Sequence, residues 1–379
     1  FRYVDISSVS NENGVERYTE MDFANCPSRA RKKVHAGDTI VSTVRTYLKA
    51  IALIKEAKDV IVSTGFSVIR PIDHEASYLH YLCSSDLFCN QVNKYAWGVS
   101  YPAISEKLMG EIRVPVPSRK EQVAIAALLD ERCKNIGNTT AILEKQISTL
   151  ERYRASVIHE AVTRGLDPTV SFKKTHFRWI PRIPENWEIK NFKYVGSVVA
   201  NLVDPSDYPT LIEIDPENIE SNTGKLKNVV TAEEVGAISA KQLFRKDQII
   251  YSKIRPSLNK IVIAPENGIC SADMYPIETS QEVRWLRYAM CSDVFVQQTS
   301  LISNRVAMPK INVEQLNVIK MAVPPLEEQT AIADYLDKRT AAIDAVLDTK
   351  RKQLDVLKRR RQSLIYEYVT GKRRVNEEA

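Results

Sequence analysis

The stretch EQVAIAALLD at residues 121–130 returns as EQTAIADYLD at residues 328–337, with seven of the ten positions identical. The likeness extends to both sides, so that residues 116–163 are matched by residues 323–370, 207 positions later. Arrays of short structural repeats need three or more copies to bury a continuous core, and this chain holds two. The repeat therefore predicts two related halves with a pseudo-twofold internal symmetry.

Each copy of the repeat predicts one long helix. Only Gly137 interrupts residues 119–163, where there is no proline, and residues 326–370 contain neither glycine nor proline. Apolar residues recur every seven positions, which is a coiled-coil pattern, and about 45 residues at 1.5 Å each give a helix of roughly 65–70 Å. We expect the two helices to pack together and to act as a spacer; a helical hairpin that only joins domains is the alternative. The heptad positions are Leu129, Ile136, Leu143, Leu150 and Val157 in the first copy and Leu336, Ile343, Leu357 and Leu364 in the second.

The composition is that of a globular protein with more than one domain. Of the 379 residues, 44% are hydrophobic and 26% are charged, and no uncharged apolar run reaches the length that a membrane-spanning helix needs. The six cysteines are scattered without a CxxC pair, which predicts reduced thiols in a cytoplasmic protein. The net charge of +6 permits nucleic-acid binding without requiring it.

One group of residues has the composition of a metal site: His74, His80, Cys83 and Cys89 lie within sixteen residues. The matching segment of the second half has Arg287 where the first half has His80. Arginine is not a zinc ligand, so the comparison favours an ordinary amphipathic helix over a zinc site. We therefore expect no metal site in this chain.

The segments 1–115 and 168–322 precede the two repeats and are typical of mixed α/β domains, because short alternating runs are separated by Gly, Pro, Asn and Asp. They are distantly related to each other: residues 38–45 resemble residues 247–255. Between such anchors the residues differ, which predicts one scaffold with two different exposed surfaces. Two related modules on a spacer of fixed length suit an asymmetric target on a polymer such as DNA.

Arg45 and Arg255 each end a strand-like run. There a guanidinium can donate two hydrogen bonds to guanine or contact phosphate, while an ion pair within the protein is the open alternative. Lysines in the same loops suit phosphate contacts. The candidates for DNA contact are Arg45, Lys49, Lys94, Trp97, Ser100 and Tyr101 in the first module and Arg255, Asn259, Lys260, Asn304, Arg305 and Lys310 in the second.

These features together resemble the specificity subunits of Type I restriction-modification systems. The helical signature of that family matches residues 325–372. Two patterns of the family's recognition domains also resemble this chain: the opening of the domain at Trp179–Trp187 and the Ser-x-x-Arg-Pro pattern at Ser252–Pro256. The first module departs from the family pattern at Thr46, where a proline is expected. It also has no counterpart of residues 178–208, so we expect the first module to be incomplete at its start or to complete itself in a different way.

The resemblance implies an α+β fold in which two mixed α/β target recognition domains, 1–115 and 168–322, are separated by two long antiparallel coiled-coil helices within the conserved regions 116–167 and 323–379. It implies a subunit without catalytic residues that binds double-stranded DNA and two modification subunits, with restriction subunits as further partners. S-adenosylmethionine, ATP and magnesium are expected on those partners. The residues expected to dock the modification subunits are Val116, Pro117, Glu121, Gln122, Val323, Pro324, Glu328 and Gln329.

The sequence offers no enzyme motif that would contradict this expectation. An adenine methyltransferase needs an Asn/Asp-Pro-Pro-aromatic run and a glycine-rich cofactor loop, and the chain has neither, nor a phosphate-binding P-loop. Two other hypotheses stay open. A coiled-coil adaptor whose two heads bind proteins would show no salt-dependent affinity for DNA, and a self-contained modifying enzyme would carry a bound cofactor.

The spacer hypothesis predicts the effect of lengthening a helix. Insertion of one heptad adds about 10 Å to a helix, which corresponds to about three base pairs at 3.4 Å each. We expect the spacer between two half-sites to change by a few base pairs while both half-sites keep their sequence, as measured by a methylation map. An unchanged spacer would refute the hypothesis.

Overall fold

The computed structural model describes residues 1–303 and 309–375. The chain forms two compact units. Unit 1 comprises residues 1–147 together with the described residues from 349 onward, and unit 2 comprises residues 148–348 apart from 304–308. The boundary between the units therefore falls inside both long helices.

The strands of unit 1 are short and belong to residues that precede the first long helix. They are β1 Arg2–Val4, β2 Val9–Ser10, β3 Gly14–Val15, β4 Thr19–Glu20, β5 Ala30–Lys33, β6 Thr39–Ser42, β7 Ile51–Leu53, β8 Val60–Ser63 and β9 Phe66–Ile69.

The strands of unit 2 follow the first long helix. They are β10 Phe172–Phe177, β11 Ile180–Pro184, β12 Glu188–Asn191, β13 Ser197–Val198, β14 Leu202–Val203, β15 Ile212–Ile214, β16 Val230–Thr231, β17 Lys241–Phe244, β18 Ile249–Ser252, β19 Ile261–Ile263, β20 Gly268–Ser271, β21 Met274–Glu278 and β22 Lys320–Val323.

The helices include the two predicted long ones, α4 and α9. They are α1 Ala76–Ser84, α2 Asp86–Tyr95, α3 Glu106–Gly110, α4 Arg119–Arg164, α5 Ala232–Val235, α6 Val283–Cys291, α7 Asp293–Ser303, α8 Val313–Asn317 and α9 Leu326–Val369.

The two units share one sheet topology. In unit 1 the sheets have the orders β4-β1-β8-β5 and β7-β6-β9, and in unit 2 the corresponding strands have the orders β16-β15-β20-β17 and β19-β18-β21. The register also agrees, because Arg2 pairs in parallel with Val60 and Ile212 pairs in parallel with Gly268. The internal repeat predicted from sequence is confirmed beyond the helices, in the α/β modules themselves.

Unit 2 has additional strands at its start. Residues 172–203 form β10 to β14, of which β12 pairs with β22 and β13 pairs with β21. Within the described residues of unit 1 no equivalent of these strands is present. The sequence comparison, which found no counterpart of residues 178–208 in the first half, had located the same difference.

The long helices are antiparallel within each unit. In unit 1 the Lys350 ammonium donates to Gln146 Oε1 at 2.7 Å, and Leu129 shares a core with Ile365 and Tyr368. Early residues of α4 thus face late residues of α9. In unit 2 the roles are exchanged, since the last turns of α4 share a core with the first turns of α9. The predicted antiparallel pair is confirmed.

The core of unit 2 predicts a large difference between two truncations on α9. Leu336 is 0% exposed, whereas Val346 is 45% exposed. Leu336→Ala should cost about 3 kcal/mol, because it removes buried surface and leaves a cavity, and Val346→Ala about 0.5 kcal/mol or less. We expect calorimetry to show the midpoint of the affected transition lowered by about 6–12 °C in the first variant. Equal midpoints in the two variants would contradict this packing.

Candidate nucleic-acid interface

Each unit has an exposed loop that contains an arginine in the left-handed backbone conformation. We call residues 43–49 the first tip loop and residues 253–259 the second tip loop. Arg45 (φ 52°) and Arg255 (φ 47°) both precede a single 3-10 turn, and both side chains are exposed. Lys49 (φ 49°) and Asn259 (φ 46°) end these turns, also in the left-handed region.

In both units, the same kind of backbone hydrogen bond stabilises the left-handed conformation of the arginine. The Arg45 amide donates to the carbonyl of Pro102 at 2.7 Å, and the Arg255 amide donates to the carbonyl of Pro309 at 2.8 Å. A left-handed conformation costs a residue with a Cβ about 1–2 kcal/mol. Such strain is retained where the rest of the fold enforces it, and it concentrates at functional sites.

The departure at Thr46 does not change the loop. Thr46 and Pro256 occupy the same place, the first residue of the 3-10 turn, and both are buried. The turn conformation therefore does not depend on the proline. The sequence analysis treated Thr46 as a departure from the family pattern, but the loop keeps its conformation. The hydrogen bond from the Arg45 amide to the Pro102 carbonyl constrains the backbone there.

The surface around the first tip loop combines a cation with aromatic rings. The Arg45 guanidinium lies 4.4 Å from the centre of the Tyr101 ring, and Trp97 is 82% exposed. Ala103 forms antiparallel bridges both with Trp97 and with Val44 of the first tip loop, so this segment lies beside that loop. Five of the predicted contact residues in unit 1 are exposed: Arg45, Lys94, Trp97, Ser100 and Tyr101.

Lys49, the sixth candidate in unit 1, is engaged within the protein. Its ammonium lies 2.7 Å from Asp86 Oδ1, at the first turn of α2. Its side chain is partly covered. This contact anchors the end of the first tip loop to α2.

In unit 2 the candidates divide into exposed and engaged groups. Arg255 and Lys310 are exposed, and Lys310 lies 3.2 Å from Asp273 Oδ1. The Lys260 ammonium donates to the carbonyl of Pro216 at 2.6 Å. Asn304 and Arg305 lie outside the described residues.

Asn259 requires a correction, because it is 1% exposed. Its side-chain amide donates to Asn222 Oδ1 and to the carbonyl of Cys291, each at 3.1 Å. A buried side chain with these partners is not available to DNA. Position in a loop suggested exposure, but the packing of Asn222 against the loop covers this side chain.

The two glutamines of the repeated motif, Gln122 and Gln329, also point inward. Gln329 accepts a hydrogen bond from the backbone amide of Glu282 at 3.0 Å and donates to the carbonyl of Pro324 at 2.9 Å. Gln122 makes the equivalent pair of bonds, to the amide of Glu75 at 2.9 Å and the carbonyl of Pro117 at 2.9 Å. Each buried glutamine thus ties the start of a long helix to the start of α1 or α6.

One carboxylate of the motif likewise makes internal contacts. Glu328, predicted to dock a partner, accepts from the indole of Trp187 at 3.0 Å and from the side chain of Asn186 at 3.2 Å. Glu328 also accounts for the glycine at position 165, because a Cβ there would lie 2.6 Å from Glu328 Oε1. The φ of Gly165, +76°, is a second reason for a glycine at this position. In unit 2 this group of residues closes the end of α4 against the recognition module.

A tyrosine contact escaped the sequence analysis. Tyr81 donates to Asp130 at 2.7 Å, and its equivalent Tyr288 donates to Asp337 at 2.8 Å. Burial and the neighbouring carboxylate raise the pKa of Tyr81, so the phenol stays protonated and remains a donor. The sequence did contain a signal for this contact, because both the tyrosine and the Leu-Asp pair of the motif recur at matching positions in the two halves.

The remaining residues of the predicted docking set differ in exposure. Val116 is 53% exposed and Glu121 is also exposed, whereas Val323 and Pro324 are buried. Pro117 is partly exposed. The structure therefore leaves Val116, Pro117 and Glu121 as the surface part of that set, on unit 1.

The four residues with the composition of a zinc site lie in or beside α1 and α2. Cys83 and Cys89 are buried, and burial, with Arg361 and Lys55 adding to it, lowers the pKa of His80 to about 4. Within the described part of the chain, no three His, Cys, Asp or Glu side chains are grouped so as to hold a metal ion.

Among residues 1–303 and 309–375, no helix is long and apolar enough to cross a membrane.

Comparison with known proteins gives one consistent result. A family model described as "Type I restriction modification DNA specificity domain" matches residues 7–152 and 184–356. The EcoDI specificity subunit of a Type I restriction enzyme from Escherichia coli is 34% identical over 303 residues, which cover 76% of this chain and 67% of the relative. The MjaVIII specificity subunit from Methanocaldococcus jannaschii is 26% identical over 298 residues, which cover 73% and 66%.

The chain thus spans about two thirds of the length of these curated relatives. Among solved structures, a chain from "Structural basis underlying complex assembly and conformational transition of the type I R-M system" has a TM-score of 0.69 at 23% identity, and the match covers 98% of this chain and 91% of that one. This likeness supports the fold.

The left-handed arginines predict an unusual stability ranking. Arg255→Gly removes the strain of the Cβ, whereas Arg255→Ala keeps it, and both remove the same exposed side chain. We expect the glycine variant to be more stable than the alanine variant by about 0.5–1 kcal/mol, measured by chemical denaturation. An alanine variant of equal or greater stability would show that residue 255 is not left-handed.

Proposed function

The chain belongs to the family of Type I restriction-modification specificity subunits, and from that membership we propose that it reads an asymmetric, bipartite sequence in double-stranded DNA. Each unit would read one half-site. The observation that carries the proposal is the pair of tip loops, which have the same backbone and the same exposed arginine but different neighbours. Equal backbones and unequal surfaces suit two different half-sites.

The chemistry of the exposed residues fits base and phosphate contacts. A guanidinium can donate two parallel hydrogen bonds to O6 and N7 of guanine, and apolar rings contact the thymine methyl group. Arg45 with Trp97 and Tyr101 in unit 1, and Arg255 in unit 2, supply such groups. Lys94, Ser100 and Lys310 suit the phosphate backbone, whose contacts position the protein without reading sequence. Asn259 is excluded from the set because it is buried.

We propose that the chain directs chemistry that its partners perform. Two modification subunits would methylate adenine with S-adenosylmethionine, and restriction subunits with ATP and magnesium would cleave unmethylated DNA. The chain would supply no catalytic residue, and a cytoplasmic location would give it access to the chromosome. Val116, Pro117 and Glu121 are the exposed part of the proposed docking surface on unit 1.

A methylation map tests the proposal. DNA from cells with this chain and its modification subunit should carry a split adenine-methylated motif that is absent when only the chain is deleted. Arg45→Ala and Arg255→Ala should each weaken discrimination at one half-site by about 5- to 150-fold, the range of a bidentate arginine contact. Arg152→Ala, which removes an exposed arginine on α4, is the control and should leave the map unchanged.

An unchanged map after deletion of the chain, with the modification subunit active, would overturn the proposal. It would favour the adaptor hypothesis, in which the two units bind proteins.

A further inference from the structure

A buried arginine connects the helix pair of unit 2 to a loop of its recognition module. The Arg154 guanidinium donates to Asp344 Oδ1 at 2.8 Å and to the carbonyl of Asn222 at 2.8 Å. Arg154 is 6% exposed. A second contact joins the loop around Asn222 to the helix pair, because the ammonium of Lys225 lies 3.4 Å from the same Asp344 carboxylate.

The same loop is joined to the end of the second tip loop. The Asn222 amide donates to the carbonyl of Asn259 at 3.1 Å, and the side chain of Asn259 donates to Asn222 Oδ1 at 3.1 Å. Asn259 ends the 3-10 turn that begins after Arg255. A continuous set of hydrogen bonds therefore runs from α9 and α4 through Asn222 to the turn that carries Arg255.

Unit 1 contains only the first half of this connection. Arg361, the equivalent of Arg154, donates to the carbonyl of Asn11 at 3.2 Å. At the position of Asp344 the chain has Gly137, and at the position of Asn259 it has Lys49, which pairs with Asp86 instead. Among the described residues, no hydrogen bond joins Asn11 to Lys49.

We propose that Arg154 and Asn259 are positioning residues for sequence reading by unit 2: they hold the second tip loop, and with it Arg255, against the helix pair. A side chain that reads a base must be held within about 0.5 Å of its working geometry by supporting contacts. The buried hydrogen bonds of Arg154 and Asn259 supply that rigidity. The inference rests on the proposed function, because Arg255 must read DNA for its position to affect specificity.

Two variants each remove one member of the network. Asn259→Gly removes the side-chain amide and keeps a left-handed backbone at no steric cost. Arg154→Met removes the guanidinium, and Asp344 still faces Lys225. Arg361→Met and Lys49→Gly, at the equivalent positions of unit 1, are the matched controls. Arg255→Ala identifies which half-site belongs to unit 2.

We expect the methylation maps of Asn259→Gly and Arg154→Met to show base discrimination at the unit 2 half-site reduced by about 5- to 20-fold, within the range of a bidentate arginine contact. Discrimination at the other half-site should be unchanged. The double variant should be no worse than the stronger single variant, because both act through one connection. Both controls should leave the unit 2 half-site as it is in the original chain.

Three outcomes would overturn the inference: an unaltered unit 2 half-site, additive effects in the double variant, or a uniform loss of methylation without altered base preference, which indicates a purely structural role. Hydrogen exchange of the full chain gives a readout without DNA. The Leu258 and Asn259 amides, which donate to Arg255 and Pro256, should exchange faster in Arg154→Met and not in Arg361→Met. If exchange responds and the original chain directs no methylation, the proposed function fails and the network stands.

Discussion

A buried glutamine amide at the start of each long helix is the contact on which the rest of the structure depends. Gln122 and Gln329 each accept from the backbone amide of the residue just before a short helix and donate to a carbonyl just before their own helix. An unsatisfied buried amide costs about 1–3 kcal/mol, so the three segments have to meet at this side chain. The direction in which each module leaves its helix is decided there.

The apolar residues that follow the glutamine complete the attachment. Ile332, Ala333 and Leu336 lie in the core of unit 2, and Ile125, Ala126 and Leu129 lie in a core of unit 1. Hydrophobic contact alone has no direction. The glutamine and the tyrosine–aspartate hydrogen bond give the attachment its orientation. This explains why the polar and apolar residues of the motif recur together.

On this common attachment the two units differ where they face solvent. The left-handed arginine is retained in both tip loops at a cost in backbone free energy, whereas the residues that hold the far end of the loop have changed. In unit 1 a surface ion pair between Lys49 and Asp86 holds that end, and in unit 2 buried hydrogen bonds of Asn259 do so. Salt weakens a partly exposed ion pair more than buried hydrogen bonds, so the two loops are held by contacts of different kinds.

The sequence by itself determined the two long helices, the internal repeat and the family, because heptad spacing and the matched segments are local patterns that need no knowledge of contacts. It also placed Arg45, Trp97 and Arg255 in exposed loops. Only the tertiary structure decided which motif residues face inward. Recurrence shows that a residue is constrained and does not show what it contacts, so Gln122, Gln329 and Glu328 were assigned to a partner although they bind within the chain. Asn259 was placed among the exposed residues for a similar reason: its partner Asn222 lies 37 residues away in sequence. Burial is set by such distant segments, and no local pattern reports it.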